Sequence, residues 1–240
     1  MPIYLPQLAV ADVLFPPVEQ ALNSPDGLLA MGGDLSAKRL IHAYRQAIFP
    51  WFSQGDPILW WSPSQRAIFA PHTLSLNRSL RKQLQKQPLQ FSINKCFEQV
   101  IRHCAAPRPT QAETWILSDI QHAYCHLHQL GHAHSLEVWH NNQLVGGLYG
   151  IVTGSLFCGE SMFNLAPNMA KFALIALQQY LQQHASGWID CQIPNPFLSQ
   201  MGASTIARSD YLTLLQQQRD NKIDPACWQP RMITLATETP

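Results

Sequence analysis

The sequence predicts an α+β fold in two parts, a small N-terminal α/β domain over residues 1–64 and a larger domain over residues 65–240. Proline, glycine and aromatic residues dominate as far as Ser64, whereas helical patterns and adjacent strand patterns alternate after it. The chain has 240 residues, of which 46% are hydrophobic, so it can bury a core without disulfides or metal sites.

The predicted N-terminal domain contains one helix and several aromatic runs. Ser36 is a favourable helix N-cap, and the predicted helix continues to about Ala47. Glycines come before it in 27-GLLAMGGDL-35, and aromatic residues follow it in 49-FPWF-52 and 58-ILWWSP-63. Because this segment has many aromatic residues and few charges, we expect its hydrophobic face to be buried against something larger or to line a pocket.

The larger domain contains a helix, adjacent strands, a helix, a strand and a helix, in that order. Asn141-Asn142 and Thr153-Gly154 mark the turns of a predicted strand meander over 133–163. Pro167 lies near the start of the long helix that follows. One predicted helix begins after Asn77, and three others cover 119–130, 167–185 and 211–219. A short predicted strand covers 188–193.

Charged residues make up only 13% of the chain, yet no apolar stretch approaches the roughly 18 to 20 residues that span a bilayer. The start, 1-MPIY-4, is not a basic segment followed by an apolar one. We therefore do not expect membrane insertion or secretion, and we expect a cytoplasmic protein. The six cysteines form no Cys-x-x-Cys pair, which is typical of reduced thiols in that compartment.

The formal net charge of +1 argues against a nucleic-acid partner, but it conceals a local imbalance. Residues 66–108 carry +7, and the remaining 197 residues carry −6. Four residues of this basic segment fall at helical spacing: Arg78, Arg81, Lys82 and Lys86. They predict either a solvated helix face or a patch that follows nucleic-acid phosphates, and the shortage of nearby acids favours the second.

Five histidines and one cysteine crowd the stretch 122-HAYCHLHQLGHAH-134. His122 and His126 lie one helical turn apart, so a zinc site is conceivable. However, the stretch has no His-Glu-x-x-His motif, and Gly131 separates the last two histidines into a predicted strand. We therefore expect a helix with incidental histidines and no metal site.

The order of elements is similar to the fold of the acetyl-CoA-dependent N-acetyltransferases, in which a central strand leads through a phosphate-binding loop into a helix. Such a loop needs glycines, so that backbone N–H groups can approach a pyrophosphate. The connection here, 160-ESMFNLAPNM-169, contains no glycine. We therefore predict an acyl-CoA N-acyltransferase-like (GNAT-like) domain over residues 65–240, but not coenzyme A as the donor. With the basic segment, this suggests an acyl donor carried on nucleic acid.

A more specific resemblance is carried by eight runs in order along nearly the whole chain: 27-GLLAMGGDLS-36, 48-IFPWF-52, 58-ILWWSP-63, 114-TWI-116, 131-GHAHSLEVW-139, 145-VGGLYG-150, 157-FCGESMF-163 and 189-IDCQ-192. In these runs the chain resembles the leucyl/phenylalanyl-tRNA–protein transferases. The resemblance implies transfer of Leu or Phe from aminoacyl-tRNA to the α-amine of proteins that begin with Arg or Lys, which marks them for N-degron (N-end rule) proteolysis. It also implies that no cofactor is needed, and we expect a monomer.

The resemblance implies that Asp190, Gln192 and Glu160 are the catalytic residues. Asp190 and Gln192 lie two apart on a predicted strand, so their side chains should share a face, with Cys191 on the other. In the implied relay Gln192 contacts the attacking amine, Asp190 orients it, and Glu160 holds the reacting groups. A neutral amide is a poor base, so Asp190 and the tRNA ribose are alternative proton acceptors. The alternative interpretation of Asp190 and Gln192 is a buried, hydrogen-bonded strand pair. That of Glu160 is a surface residue that caps the next helix.

Glu160 and Asp190 are also the candidates to bind the acceptor's basic side chain. By the same resemblance, the pocket for the aminoacyl side chain contains Trp51, Trp115, Leu148, Gly159, Leu177, Leu181 and Asn195. Leu177 and Leu181 lie one helical turn apart and can form one wall, although each leucine alone is typical of an ordinary core. Such a pocket discriminates single methylenes by only about 1–3 kcal/mol, so some transfer of Met is also expected.

The chain departs from the family's pattern in two places, at Ala170 within 168-NMAK-171 and at Pro196-Phe197. We assign no role to these residues. Two other functions compete with the transferase. A CoA-dependent N-acetyltransferase is the enzymatic alternative, and the glycine-free connection disfavours it. A non-catalytic tRNA-binding module is the second alternative, and an absence of turnover would favour it.

Overall fold

The computed structural model describes residues 4–107 and 114–236, which begin with a four-stranded sheet and one helix. These elements are β1 Gln7–Leu8, β2 Leu28–Gly32, α1 Ala37–Tyr44, β3 Phe49–Pro50 and β4 Leu59–Trp61. The strands lie in the order β1-β2-β4-β3. The aromatic runs of the sequence thus form the two strands at one side of this sheet.

Helix α1 begins where the sequence predicts and ends earlier. The Ser36 hydroxyl accepts a hydrogen bond from the Arg39 N–H at 3.4 Å, which confirms Ser36 as the N-cap. The helix ends at Tyr44, and it does not continue to the predicted end near Ala47, because Ala47 adopts a left-handed φ of 65° that an α-helix excludes.

An eight-stranded sheet forms the centre of the rest of the chain. Its strands are β5 Gln65–Phe69, β6 Leu89–Ile93, β7 Ala133–His140, β8 Gln143–Thr153, β9 Leu156–Asn164, β10 Ile189–Asp190, β11 Ser204–Ala207 and β12 Arg231–Ile233. They lie in the order β11-β5-β10-β9-β8-β7-β6-β12, and β9 and β10 are parallel neighbours in an otherwise antiparallel sheet. The predicted meander is confirmed as β7, β8 and β9, whereas β10 is shorter than the strand predicted over 188–193.

Helices cover both faces of this sheet. They are α2 Arg78–Lys86, α3 Phe97–Ala105, α4 Ser118–Gln129, α5 Met169–His184, α6 Pro196–Gln200 and α7 Arg208–Gln218. The Asn77 side chain accepts from the Leu80 N–H at 2.9 Å, which confirms the predicted start of α2. Helices α4, α5 and α7 match predicted helices to within three residues at each end, and α3 and α6 were not predicted. None of the described helices is long and apolar enough to cross a lipid bilayer.

The hydrophobic core lies on both faces of the eight-stranded sheet. One face packs against α5, where Phe172 and Ile175 are fully buried. The other face packs against α3, α4 and the N-terminal part, so that Leu40 and Trp60 share one buried cluster with Tyr124. The aromatic face of the N-terminal part is therefore buried against the larger part, as the sequence predicts.

The chain passes from the first sheet to the second between Trp61 and Gln65. This passage lies close to the boundary at residue 64 that the sequence suggests. Because one buried cluster spans both parts, their division into two domains stays a prediction.

Candidate active site

A cleft opens where β9 and β10 separate. The two strands pair only through Phe157 with Ile189 and Cys158 with Asp190. Beyond these pairs β9 continues to Asn164, whereas the chain after Asp190 turns toward α6. The gap contains a mostly apolar cavity of about 130 Å³. An apolar group of limited size can therefore enter between two strands of the sheet.

Six of the predicted site residues line this cavity: Leu148, Gly159, Glu160, Leu177, Gln192 and Asn195. Leu181 lies one turn beyond Leu177 and is buried in the core. Sequence reasoning missed Leu174, which also lines the cavity and whose position one turn before Leu177 could have indicated it. It also missed Met162, Cys191 and Leu198, which come from three separate segments.

The two predicted tryptophans are not among the described residues that line this cavity. Trp51 is 41% exposed and packs on Trp61, with 5.5 Å between the ring centroids. Trp115 is half-buried and packs against the core cluster that both parts of the chain share. Their membership of an aminoacyl pocket stays a prediction that depends on the family resemblance.

A β-bulge turns Glu160 toward the cleft. The register of β8 and β9 shifts at this point, since Gly150 pairs with Gly159 and Tyr149 pairs with Ser161. Glu160 is therefore an additional residue of β9, and bulges of this kind redirect side chains. Glycine at position 150 permits the close approach of β9, because a Cβ atom there would lie 2.2 Å from a carbonyl oxygen of that strand.

The Glu160 carboxylate accepts hydrogen bonds from two sides. Its Oε1 accepts from Gln192 Nε2 at 2.9 Å, and its Oε2 accepts from the Tyr124 hydroxyl at 3.1 Å. The hydroxyl oxygens of Tyr44 and Tyr124 lie 2.6 Å apart, so a tyrosine of the N-terminal part also belongs to this network. Sequence reasoning missed both tyrosines, because 80 residues separate them and no local pattern joins them.

Burial raises the pKa of the Glu160 carboxyl from 4.5 to about 7. The hydrogen bonds from Tyr44 and Tyr124 oppose this increase in pKa. The nearby Asp190 carboxylate adds to it, and the Arg66 guanidinium opposes it. A carboxylate with a pKa near 7 is suited to general acid–base catalysis at neutral pH.

Gln192 reaches Glu160 because its backbone leaves the strand. Strand β10 ends at Asp190, and Gln192 adopts a left-handed φ of 54°. Its N–H donates to Asp190 Oδ1 at 2.9 Å, and its carbonyl accepts from the Ala67 N–H at 3.0 Å. Since the side-chain nitrogen donates to Glu160, the side-chain oxygen is the acceptor end of this amide. Cys191 packs toward α5, on the face opposite to Asp190.

Asp190 is fully buried, and both of its carboxylate oxygens are occupied. Its Oδ1 accepts from Arg66 Nε at 2.8 Å and from the Gln192 N–H at 2.9 Å. Its Oδ2 accepts from Arg66 Nη2 at 2.7 Å and from the Tyr211 hydroxyl at 2.9 Å. The carboxylate that faces the cavity is therefore Glu160, and Asp190 lies behind it.

Helix α2 carries the four residues predicted to bind tRNA, Arg78, Arg81, Lys82 and Lys86, and all four are exposed. Gln83 attaches this helix to the start of α5, since its Nε2 donates to the Pro167 carbonyl at 3.0 Å and its Oε1 accepts from Asn168 Nδ2 at 2.9 Å. Helix α5 also supplies Leu174 and Leu177 to the cavity. The basic helix and the cavity thus share one supporting helix.

One member of the predicted basic segment, Arg66, does not add to this exposed charge. Arg66 is 2% exposed and forms a buried ion pair with Asp190 at 2.7 Å, so the pair is neutral as a unit. Arg108 lies outside the described residues. The count of +7 from the sequence therefore overstates the positive charge that a nucleic acid would meet.

The histidines of the 122–134 stretch lie in different environments. His128 stacks on Phe97 with 4.3 Å between ring centroids, and His134 stacks on Trp228 at 4.0 Å. His126 is exposed on α4. Within residues 4–107 and 114–236, no three His, Cys, Asp or Glu side chains lie together as metal ligands would.

Glu160→Gln is expected to raise the melting temperature at pH 8 by about 2 °C or more and to leave it nearly unchanged at about pH 4, below the unfolded pKa. The folded pKa of about 7 exceeds the unfolded value of 4.5, so ionisation of Glu160 removes stability as the pH rises from 4.5 through 7. A neutral glutamine avoids that loss. Thermal unfolding of both proteins at the two pH values checks this prediction. An equal decrease in melting temperature at both pH values would contradict it.

An apolar cavity beside a carboxylate whose pKa burial raises to about 7 is typical of an enzyme site for acid–base chemistry. Residues 33–64 match the family model of the leucyl/phenylalanyl-tRNA protein transferase N-terminal domain, and residues 68–216 match that of the leucyl/phenylalanyl-tRNA protein transferase. The chain belongs to this family of aminoacyltransferases, which confirms the resemblance found in its motifs. The two competing functions, CoA-dependent acetyl transfer and tRNA binding without catalysis, are therefore disfavoured.

Individual relatives agree with this result. A leucyl/phenylalanyl-tRNA–protein transferase from Shewanella piezotolerans is 57% identical over 226 residues, which cover 94% of this chain and 93% of the relative. One from Shewanella pealeana is 52% identical over 225 residues, with coverage of 94% and 95%. Among solved structures, the chain is similar to the C-terminal domain of a proposed lysylphosphatidylglycerol synthetase from Agrobacterium fabrum. The match covers 82% of this chain and 63% of the other chain, at 12% sequence identity and a TM-score of 0.37.

Proposed function

We propose that this enzyme transfers Leu or Phe, and Met to a lesser extent, from aminoacyl-tRNA to the N-terminal α-amine of proteins that begin with Arg or Lys. The product is the substrate of N-degron proteolysis. The observation that supports this most is the Glu160 carboxylate in the wall of an apolar cavity between β9 and β10. Family membership supplies the donor class, and the size and chemistry of the cavity agree with it.

The cavity has the size and the lining that an apolar side chain requires. An apolar cavity of about 150 Å³ holds benzene, and this one measures about 130 Å³. Leu148, Leu174 and Leu177 supply apolar walls, so an isobutyl or benzyl group gains from burial there. The unbranched thioether of Met adapts to the same space.

The reaction exchanges one acyl bond for another, and Glu160 moves the proton. The neutral α-amine attacks the aminoacyl ester carbon, so a C–N bond forms as the C–O bond to the tRNA ribose breaks. Glu160 accepts the proton that the amine loses and gives it to the departing ribose oxygen. The peptide's α-ammonium has a pKa of about 7.7–8.0, so a substantial share of the acceptor is the neutral amine slightly above neutral pH, where Glu160, with a pKa of about 7, is mostly ionised and able to accept a proton.

Gln192 and Asp190 support this step in different ways. The Gln192 side-chain oxygen is oriented to accept a hydrogen bond from the second N–H of the amine, because its nitrogen donates to Glu160. Asp190 orients Gln192 through the backbone N–H and has no unoccupied oxygen for the amine. The sequence leaves open Gln192, Asp190 and the tRNA ribose as proton acceptors. The geometry disfavours Gln192 and Asp190, and we propose Glu160, which the sequence did not indicate for this role.

Different parts of the molecule are proposed to recognise the tRNA and the acceptor protein. The exposed residues of α2, Arg78, Arg81, Lys82 and Lys86, are proposed to contact tRNA phosphates. Of the two carboxylates considered for the acceptor's basic side chain, Asp190 is already neutralised by Arg66, which leaves Glu160 as the acidic group at the cavity. An aminoacyl ester is already activated, so the reaction needs no cofactor. Because charged tRNA is cytoplasmic, we propose that the enzyme acts there, as a monomer.

A direct assay tests this function. The enzyme is incubated with radiolabelled Leu-tRNA and a peptide that begins with Arg, and we expect label on the peptide. The same peptide with an acetylated N-terminus is the control and should stay unlabelled. Label on the control peptide, or acetylation of the free peptide by acetyl-CoA in place of leucylation, would contradict the proposal.

Gly159→Ala is expected to reduce Phe transfer about tenfold more than Leu transfer, since one methyl group in such a pocket is worth about 10- to 200-fold. A Cβ atom at position 159 would lie 3.6 Å from the Asp190 carbonyl oxygen and 3.9 Å from Ile189 Cγ2, so the fold accommodates it while the cavity becomes smaller. Mass spectrometry of peptides labelled from mixed Leu- and Phe-tRNA measures the ratio. Leu130→Ala, at an exposed leucine, is the control and should not change it.

A further inference from the structure

Arg66 joins three parts of the molecule around one carboxylate. Its guanidinium donates to both oxygens of Asp190, at 2.8 and 2.7 Å. It also donates to the Ala47 carbonyl at 3.3 Å, and its central carbon lies 5.0 Å from the Phe49 ring centroid and 4.5 Å from that of Tyr211. Ala47 and Phe49 belong to the N-terminal part, and Tyr211 belongs to α7. A planar group is therefore fixed in place on every side.

The pair of Arg66 and Asp190 acts on the backbone of Gln192. A left-handed φ is unfavourable for a residue with a side chain, so this conformation at Gln192 needs support from its surroundings. Asp190 Oδ1 accepts from the Gln192 N–H, and the Ala67 N–H donates to the Gln192 carbonyl. Arg66 and Ala67 are neighbours on β5, so one strand supports both ends of this residue.

We propose that Arg66 is a positioning residue for the transfer reaction: it fixes Asp190, which holds Gln192 in the left-handed conformation that places its side-chain amide on Glu160. The inference rests on the proposed function, in which Glu160 takes the proton of the amine. Tyr211 completes the arrangement, because its hydroxyl donates to the second oxygen of Asp190.

Stability alone does not require this ion pair. Replacing a buried ion pair by hydrophobic residues of similar volume is often neutral or stabilising, whereas removal of one partner leaves an uncompensated charge. No hydrophobic side chain, however, can accept the hydrogen bond from the Gln192 N–H. Replacement of both partners therefore separates the positioning role from the contribution to stability.

The test is the double variant Arg66→Met with Asp190→Leu. We expect a folded protein whose kcat for leucylation of an Arg peptide is about 10²-fold lower, because a small displacement of a reacting group has an effect of that size. The KM for Leu-tRNA should stay within about threefold, since α2 and the apolar cavity walls are unchanged. The direct effects of Asp190 and Arg66 on the Glu160 pKa are opposite in sign, so joint removal of the pair largely cancels them. Loss of the Gln192 donor should then move the pH–rate inflection of Glu160 upward from about 7.

The other ionisable groups that act on Glu160 are unchanged in this variant: Tyr44 on α1, Tyr124 on α4, Tyr149 on β8 and Cys158 on β9. The matched control is Arg39→Met with Asp34→Leu. Arg39 is also fully buried and pairs with Asp34 at 3.3 Å, in the N-terminal part. We expect that control to change the melting temperature and to keep both kcat and the inflection.

Titration of Glu160 by NMR of protein labelled with [13C]glutamate gives the same pKa without any transfer reaction, and the Glu160→Gln spectrum assigns the signal. An unchanged Glu160 titration or an unchanged kcat in the double variant would overturn the positioning role. A wild-type protein that labels no peptide would overturn the proposed function, while the NMR titration still decides this inference. If the double variant does not fold, Arg66→Lys replaces it, and an about tenfold decrease in kcat is expected because Lys cannot make the paired contact.

Discussion

Glu160→Gln is expected to lower kcat for peptide labelling by about 10²- to 10⁴-fold, the range that a positioned acid–base group contributes. The variant keeps the volume of the side chain but cannot take a proton from the amine. In the wild type, kcat should rise with pH through about 7, because the carboxylate form of Glu160 is the active one. In the variant this inflection should disappear. Rate measurements from pH 5.5 to 9 with saturating Leu-tRNA and peptide check both effects.

A second inflection separates the enzyme's group from the substrate's group. The free α-amine of the peptide titrates at about 7.7–8.0 and should shape kcat/KM in both proteins. Glu98→Gln is the control variant, since Glu98 is 63% exposed on α3 and pairs with Arg102 on the surface. It should retain the full rate and the inflection near pH 7. Equal rates for Glu160→Gln and the wild type would exclude Glu160 as the proton acceptor.

Removal of three charges from α2 is expected to weaken tRNA binding about 10²-fold at low salt and to reduce the slope of log K against log [salt] by about 2 to 3. The variant carries Arg78→Gln, Lys82→Gln and Lys86→Gln, three exposed positions of one helix. Each lost phosphate contact retains its counterions, so the binding constant becomes less sensitive to salt. The Leu-to-Phe preference should not change, because the cavity is untouched. Filter binding of tRNA from 50 to 300 mM salt measures the slope.

A matched pair of lysine variants shows whether position or total charge matters. Lys82→Gln with Lys86→Gln removes two charges from α2, and Lys38→Gln with Lys222→Gln removes two from exposed positions elsewhere. The first should reduce the salt slope by about 2, and the second should reduce it little. Equal slopes in the two variants would refute a specific role of α2 and support a diffuse electrostatic attraction.

Local signals predicted the elements whose ends are set by nearby residues. Ser36 and Asn77 cap their helices through their own side chains, and both hydrogen bonds are present. Asn141 and Asn142 adopt positive φ values of 51° and 61° in the turn between β7 and β8, as the pair suggests. Interactions of this kind span at most a few residues, so a short window of sequence contains all of their causes.

Elements that depend on distant partners were not predictable in the same way. Strand β5 pairs with both β10 and β11, which lie more than 100 residues later in the chain. Gln192 shows the effect most clearly, because alternation within 188–193 predicts a strand and the residue turns into a left-handed conformation. The Asp190 carboxylate and a neighbouring strand hold that turn, and neither has any signature near residue 192.

Family and reaction class follow from motifs in the chain. The family resemblance predicts seven pocket residues, and four of them, Leu148, Gly159, Leu177 and Asn195, line the cavity. The different roles of the two carboxylates do not follow from the sequence. In the sequence, Asp190 and Glu160 are both simply carboxylates that could serve the reaction. Their roles differ because Arg66, 124 residues before Asp190, binds the Asp190 carboxylate. A β-bulge and two tyrosines position the Glu160 carboxylate at the cavity, where burial raises its pKa to about 7. Burial and hydrogen-bond partners decide which oxygen can take a proton, and folding alone brings those partners together.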